Sequence, residues 1–272
     1  MKKEISAFKD ETVTDETLLH AVVEIAHDAA ENLLQFFSPD NRPKGKSDMF
    51  EAGKRNEELV ADQVTTALKA LRPNAKFVEE AQETAPLPSG EWWVVDHVEG
   101  NVNHVHGMPE WAITIALMRD GLAVLAVVRQ PVGDLTYTAI RGKGAFLNGR
   151  RLQVSKKMEM NAALVGTGQA EGGQIETYRR IADSIFAMLQ HALLVRASVP
   201  STFPMVLVAA GHMDVFWQYQ PVLPGVAPGI LFIEEAGGRV SRIDGTAWKA
   251  GDKDILVSAP GLHQAAIDIL KI

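Results

Sequence analysis

The sequence contains no cysteine, so disulfides and thiolate-bound metals are excluded. No apolar run approaches the ~18 residues that a membrane-spanning helix needs. Nor is there a surplus of positive charge: 27 Lys and Arg stand against 34 Asp and Glu, a formal net charge of −7, with both signs mixed along the chain. Nucleic acid is therefore not an expected partner, because phosphate-backbone binding needs a basic face. A small anionic ligand needs only a local site. The opening MKKEISAFKDET has lysines but no apolar stretch behind them, so no secretory leader is expected and the reading is a soluble, cytoplasmic protein. Repeats and low-complexity segments are also missing.

The 272 residues, 46% of them apolar, suffice for one large domain or two lobes sharing a core. Residues 14–37 place Leu18, Val22, Ile25, Ala29, Leu33 and Phe36 at steps of three and four, which predicts a helix capped by Thr14 or Asp15 and ended by Ser38-Pro39. A polar loop, SPDNRPKGKSD, follows, and a second amphipathic helix is expected from about Asn56 to Leu71. From Lys76 the pattern turns to strands: FVEE, WWVVD, and two apolar runs around Asp120-Gly121, a hairpin signal. TYTAI and the Asn148-Gly149 turn continue that sheet. ALVGTG opens a second half, with helices predicted over 174–190, 201–211, 226–236 and 261–270, and strands at LLVRAS and DVFWQYQ. Blocks of alternating helices and strands predict a layered α/β or α+β sandwich.

One stretch carries chemistry. In WWVVDHVEGNVNHVHG (92–107) a buried strand ends in Asp96, and Glu99 follows three residues later. Two carboxylates on a tight turn suit a hard cation such as Mg²⁺, with Val98 offering a carbonyl and Glu79 or Glu80 completing the set. Gly100 would let the chain approach a phosphate closely. Solvated loop acids are the plainer reading of the same residues.

The stretch resembles the inositol monophosphatase family, within the Mg²⁺-dependent, lithium-sensitive phosphatases, whose pattern is W-(I/V)-I-D-P-(I/L)-D-G-T-x-N-F-x-H-G. RGKGAFLNGRRLQVS (141–155), LVGTG (164–168), VAAGHMDVFWQ (208–218) and EEAGGRVSRIDG (234–245) extend the similarity over most of the chain from about 77 onward. The resemblance implies a single α/β/α/β/α sandwich of the inositol monophosphatase and fructose-1,6-bisphosphatase type, with lobes at about 1–155 and 156–272. It also implies a homodimer and a small-molecule ligand that is anionic or a polyol. Metal ligands carried over residue by residue are Glu79, Asp96, the Val98 carbonyl and Glu99, the last one methylene longer than the family's Asp. Asn101 stands where the family has a water-activating Thr. Gly100, Asn101, Val102, Gly166, Thr167 and Gln218 match substrate-side segments.

Several positions depart from the family pattern. The later metal-binding Asp of W-D-x-A-A-G becomes Gly225, the acid closing D-L-V-T-x-x-D becomes Lys54, and the G-S-A motif falls on Val199-Pro200-Ser201. Two carboxylates are lost and a cation gained. Unit charges ~4 Å apart interact by roughly 4 kcal/mol at an effective dielectric of ~20, so Mg²⁺ binding should be weakened, the second ion's most. Lys54 is expected to sit against Glu79, Asp96 or Glu51 as an internal cation. His97 replaces the family's proline and His104 its phenylalanine. With Glu99 they present either a transition-metal site or loop histidines with local hydrogen bonds. His106 matches the family's own histidine, and Trp92, Trp93, Trp111 and Trp217 read as core. Three functions stay open. The first is a repurposed enzyme for a small polar or phosphorylated metabolite, using Lys54, Glu79, Asp96, Glu99, Asn101 and His97 in acid–base roles. The second is a weak Mg²⁺-dependent phosphomonoesterase, and the third is a non-catalytic binding or regulatory protein.

Overall fold

The computed structural model describes residues 14–170 and 172–272. The N-terminal stretch MKKEISAFKDET, read as carrying no leader, lies outside them. Helix α1 spans Asp15–Leu34, and the Thr14 hydroxyl caps it by accepting from the Thr17 amide. Of the predicted face, Leu18, Val22, Ala29 and Leu33 are buried, Ala26 takes the place of the half-buried Ile25, and Phe36 lies past the helix end and is exposed. Helix α2 spans Lys46–Leu71, ten residues longer at its start than the periodicity suggested. Its buried residues begin only at Asn56. The first ten positions pack no apolar face, so the periodic signal is silent there. Asp48 instead secures that end by accepting from the Lys44 amide at 3.0 Å.

The first sheet has seven strands in chain order: β1 (Lys76–Phe77), β2 (Glu91–Glu99), β3 (Ala112–Arg119), β4 (Leu122–Gln130), β5 (Leu135–Ile140), β6 (Gly144–Leu147) and β7 (Arg150–Arg151). Only β1 and β2 run parallel. Asp120 and Gly121 both take positive φ, 50° and 81°, which is what a two-residue turn between right-twisted strands requires. The FVEE strand is shorter than expected. Only Lys76 and Phe77 pair, and Glu79 caps a 3₁₀ turn over Glu80–Gln82.

The second sheet runs β11-β12-β10-β8-β9. Its strands are β8 (Leu164–Thr167), β9 (Leu194–Ala197), β10 (Val215–Tyr219), β11 (Arg239–Ser241) and β12 (Asp254–Ser258). The short helix α3 (Asn101–Val105) follows β2, and α4 (Ile175–Leu189), α5 (Thr202–Ala209), α6 (Leu223–Glu235) and α7 (His263–Leu270) complete the set.

Three apolar clusters define the layers. One joins α1 and α2 to the outer face of the first sheet through Trp93, Ile113 and Ile115. The central cluster packs Trp92 and Val94 of that sheet, Phe203 of α5, Phe232 of α6, and Phe216 of the second sheet. The third holds Val215, Trp217 and Leu256 against Met188 of α4 and Ile267 of α7. The order is therefore α/β/α/β/α, the sandwich expected. α6 is buried on every side from Leu223 to Ile233, as a helix held between two sheets must be. Four of the five tryptophans are core: Trp93, Trp111 and Trp217 are fully buried and Trp92 nearly so. No helix among the described residues is long and apolar enough to cross a membrane.

Candidate functional site

Side chains alternate faces along a strand, so Asp96 and Glu99, three apart, should point to opposite sides of the sheet. They do not, because β2 carries a bulge. Asp96 lies opposite Thr114 and Glu99 opposite Ala112, so three steps on β2 match two on β3. The extra residue reverses the parity of the strand. Val98 accordingly joins the α1/α2 cluster, while Glu99 turns with Asp96 toward the central layer. The bulge is what brings the two carboxyls together.

Their environment sets their charge. Burial, with Glu57 nearby, raises the proton affinity of Asp96; the Glu99 contact and the Val98 amide, which donates to Asp96 Oδ1 at 2.9 Å, oppose that rise. Burial and the Asp96 charge hold Glu99 well above the usual carboxylate range, against the pull of Thr202, whose amide donates to Glu99 Oε1 at 3.3 Å. The pair favours one shared proton over two negative charges.

Gly100 turns the chain out of the strand at φ 79°, and a Cβ there would stand 2.5 Å from the Glu110 carbonyl oxygen. Only glycine fits. Asn101 then starts α3; its amide donates to the Gly53 carbonyl at 2.9 Å and its oxygen accepts from Asn56 at 3.0 Å. A cavity of about 450 Å³ opens over this turn. Asp96, Val98, Gly100, Asn101 and Val102 form one wall, Val199 and Pro200 another, and Val222 and Pro224 at the start of α6 a third. Glu57 and Glu83 add carboxylates from two further elements.

Several expected residues stand elsewhere. Lys54 is not an internal cation: its ammonium lies 3.6 Å from Glu58, one helical turn on, and both side chains are mostly exposed. Its side chain runs along α2 to Glu58 beside a neighbouring hollow rather than to the acids of the turn. Glu79 is exposed and committed to the capping box of the 3₁₀ turn, so it does not line the cavity. Gly166 and Thr167 are buried in β8, away from the cavity lining. Gln218 lies behind it, accepting from Ser201 at 2.5 Å. His97 and His104 do not meet. His97 pairs with Glu57 at 3.2 Å, whereas His104 is buried between Asn56 (2.9 Å) and the Leu33 carbonyl (3.3 Å), packed edge-on to Trp111. Burial lowers its proton affinity. His106 bonds locally to the Val102 carbonyl at 2.7 Å.

Glu57 and Glu83 were missed from sequence. Glu57 was within reach, since it lies three residues from Lys54 on the same helix; Glu83 carried no signal.

The comparisons with known proteins come down on one side. A family model described as the inositol monophosphatase family matches residues 14–271. The chain belongs to that family. It is 33% identical over 234 residues to an inositol-1-monophosphatase of Rhizobium meliloti, covering 84% of this chain and 86% of that protein. It is 36% identical over 171 residues to the Nus factor SuhB of Pseudomonas aeruginosa, covering 62% of each. A solved inositol monophosphatase from Anabaena superposes with a TM-score of 0.81 at 23% identity, over 94% of this chain and 95% of that one.

Members of the family are Mg²⁺-dependent, so the fit of this site to the ions matters. Among the described residues no three His, Asp or Glu side chains converge as a metal cluster. Glu79 caps the 3₁₀ turn outside the cavity lining, Gly225 offers no side-chain oxygen, and Glu99 is engaged by Thr202 and Asp96. A buried, unpartnered Thr114 hydroxyl sits opposite Asp96 in register, but a hydroxyl replaces neither missing carboxylate. The carboxylates that line the cavity are Asp96, Glu57 and Glu83.

Proposed function

We propose that this family member uses its cavity to bind and act on a small polar metabolite without efficient two-metal phosphatase chemistry. The observation that carries the reading is Gly225. At the start of α6, beside the cavity, the side chain that would close the far side of an ion cage is reduced to a hydrogen atom. Lys54 supplies no acid on the near side, and the carboxylates the cavity does gain, Glu57 and Glu83, stand at other positions of the chain. In this reading Asp96 and Glu99 act as one acid–base unit sharing a proton, and His97, outside the cavity lining, holds Glu57 at 3.2 Å. Asn101 holds the turn in place. A donor-rich ligand would meet carboxylate and amide acceptors.

A second reading, a weak Mg²⁺-dependent phosphomonoesterase, is favoured by Asp96 facing the cavity with the Val98 backbone beside it. The names of the relatives divide as well: one is called an inositol-1-monophosphatase and another a Nus factor. The deciding experiment is a phosphate-release assay over inositol, sugar and nucleotide monophosphates with Mg²⁺. The proposal expects turnover at or near background; robust, lithium-sensitive turnover refutes it. We also propose a cytoplasmic homodimer.

A further inference from the structure

A second cavity, of about 380 Å³, adjoins the first. The two share Glu57, Asn101 and Val102, so they are neighbouring chambers separated by a few side chains. We infer that they act as one cleft, and that its ligand joins a hydroxyl- or ammonium-bearing head to an apolar, ring-sized body.

The chambers differ in chemistry. The first presents the carboxylates of Glu57, Glu83 and Asp96, and no Lys, Arg or His lines it among the described residues. Such walls accept hydrogen bonds and favour positive or neutral donors over a bare anion. The second is walled by Met49, Phe50, Val102 and Val105, with Gly53 and Lys54 at its edge. Phe50 is 60% exposed and Val102 51% exposed, yet they face a shared concavity. A single exposed apolar residue needs no explanation, but two across a hollow that continues a polar site match the usual make-up of a ligand pocket. The boundary between the chambers is fixed. Asn101 is tied to the Gly53 carbonyl and to Asn56, and a Cβ on Gly53 would already lie 3.4 Å from the Asn101 amide nitrogen. The body of the ligand therefore passes over Val102 to reach Phe50, and a lone polyol would fill only the first chamber.

The inference rests on the proposed function only in taking the first cavity as the ligand site. The test compares D-glucosamine with phenyl β-D-glucosaminide, which adds a ring to the same head, by calorimetric titration with EDTA and again with Mg²⁺. The phenyl compound is expected to bind at least ~10-fold tighter, a gain of the size that burying one ring gives. Phe50→Ala should cut that gain to about threefold or less while leaving D-glucosamine affinity unchanged, because Phe50 lines only the second chamber. Its side chain is exposed, so the variant should fold, and its melting curve checks this. Equal affinities in the wild type, a gain that survives the substitution, or no binding of either compound at millimolar concentration would overturn the inference. Phosphatase turnover is read separately: strong Mg²⁺-dependent turnover with the ring gain intact sinks the proposed function alone.

Discussion

A β-carbon on Gly225 would meet Val222 Cγ2 at 3.7 Å and Ser201 Oγ at 3.8 Å, ordinary contact distances. Gly225 is also the third residue of α6, where a carboxylate is favoured by the helix N-terminus. Gly225→Asp should therefore fold and raise Mg²⁺ affinity by roughly tenfold or more, read by calorimetric titration. An unchanged affinity contradicts the assignment of this position to the ion cage. Lys54→Ala should leave the melting curve nearly unmoved, within about 0.5 kcal/mol, because its exposed pair with Glu58 contributes little. Gly100→Ala should behave oppositely. It forces an L side chain to φ 79° and into the Glu110 carbonyl, so a loss of about 2 kcal/mol or more is expected in denaturant unfolding.

At the scale of elements, the bulge in β2 decides where the acids go. Deleting His97 would leave Asp96 and Glu99 two residues apart, so simple alternation would still set both on the central face. The expected outcome is a variant that folds with Glu99 still opposite Ala112; failure to accumulate as folded protein would mean that the extra residue does more than set the register. The helix that packs under this turn carries its own signature. His104 has its proton affinity lowered by burial, with Arg55 adding repulsion, and His263 is shifted the same way by burial and Arg239. Below the ordinary histidine value of 6.5 the unfolded chain takes up protons that the folded chain refuses. Stability from both groups is therefore full above that value and is lost as pH falls through it. His104→Phe, the family's residue, should flatten part of this fall in melting temperature between neutral and mildly acidic pH. An unaltered profile would show that His104 titrates freely.

Across the whole molecule, the sandwich was legible because its main elements announce themselves. α1 shows helical spacing, the Asp120-Gly121 and Asn148-Gly149 turns mark hairpins, and the motif set runs in family order. Other parts were silent for physical reasons. The first ten residues of α2 bury no apolar side chain, so no period reveals them. β11 and β12 are short segments that pair only after distant parts of the chain meet. A bulge is invisible in a sequence that otherwise alternates, so Asp96 and Glu99 were found by motif rather than by geometry. Lys54 was misplaced because its charge was read without the helix along which it reaches Glu58. Assembly belongs at this scale too. Phe186, Leu189, Leu193 and Leu194 are exposed around the connection from α4 to β9, an apolar face of the kind that marks contact sites. Light scattering should give the mass of a dimer, and Phe186→Asp should shift it toward the monomer; a wild-type monomer at micromolar concentration contradicts the proposed dimer.

The central claim is that the far side of the ion cage is gone. The most direct measurement is the stoichiometry of Mg²⁺ binding to the wild-type chain by calorimetric titration into the low millimolar range. The account predicts fewer than two ions bound per chain across that range. Two ions bound per chain, both saturating below a millimolar, would contradict it.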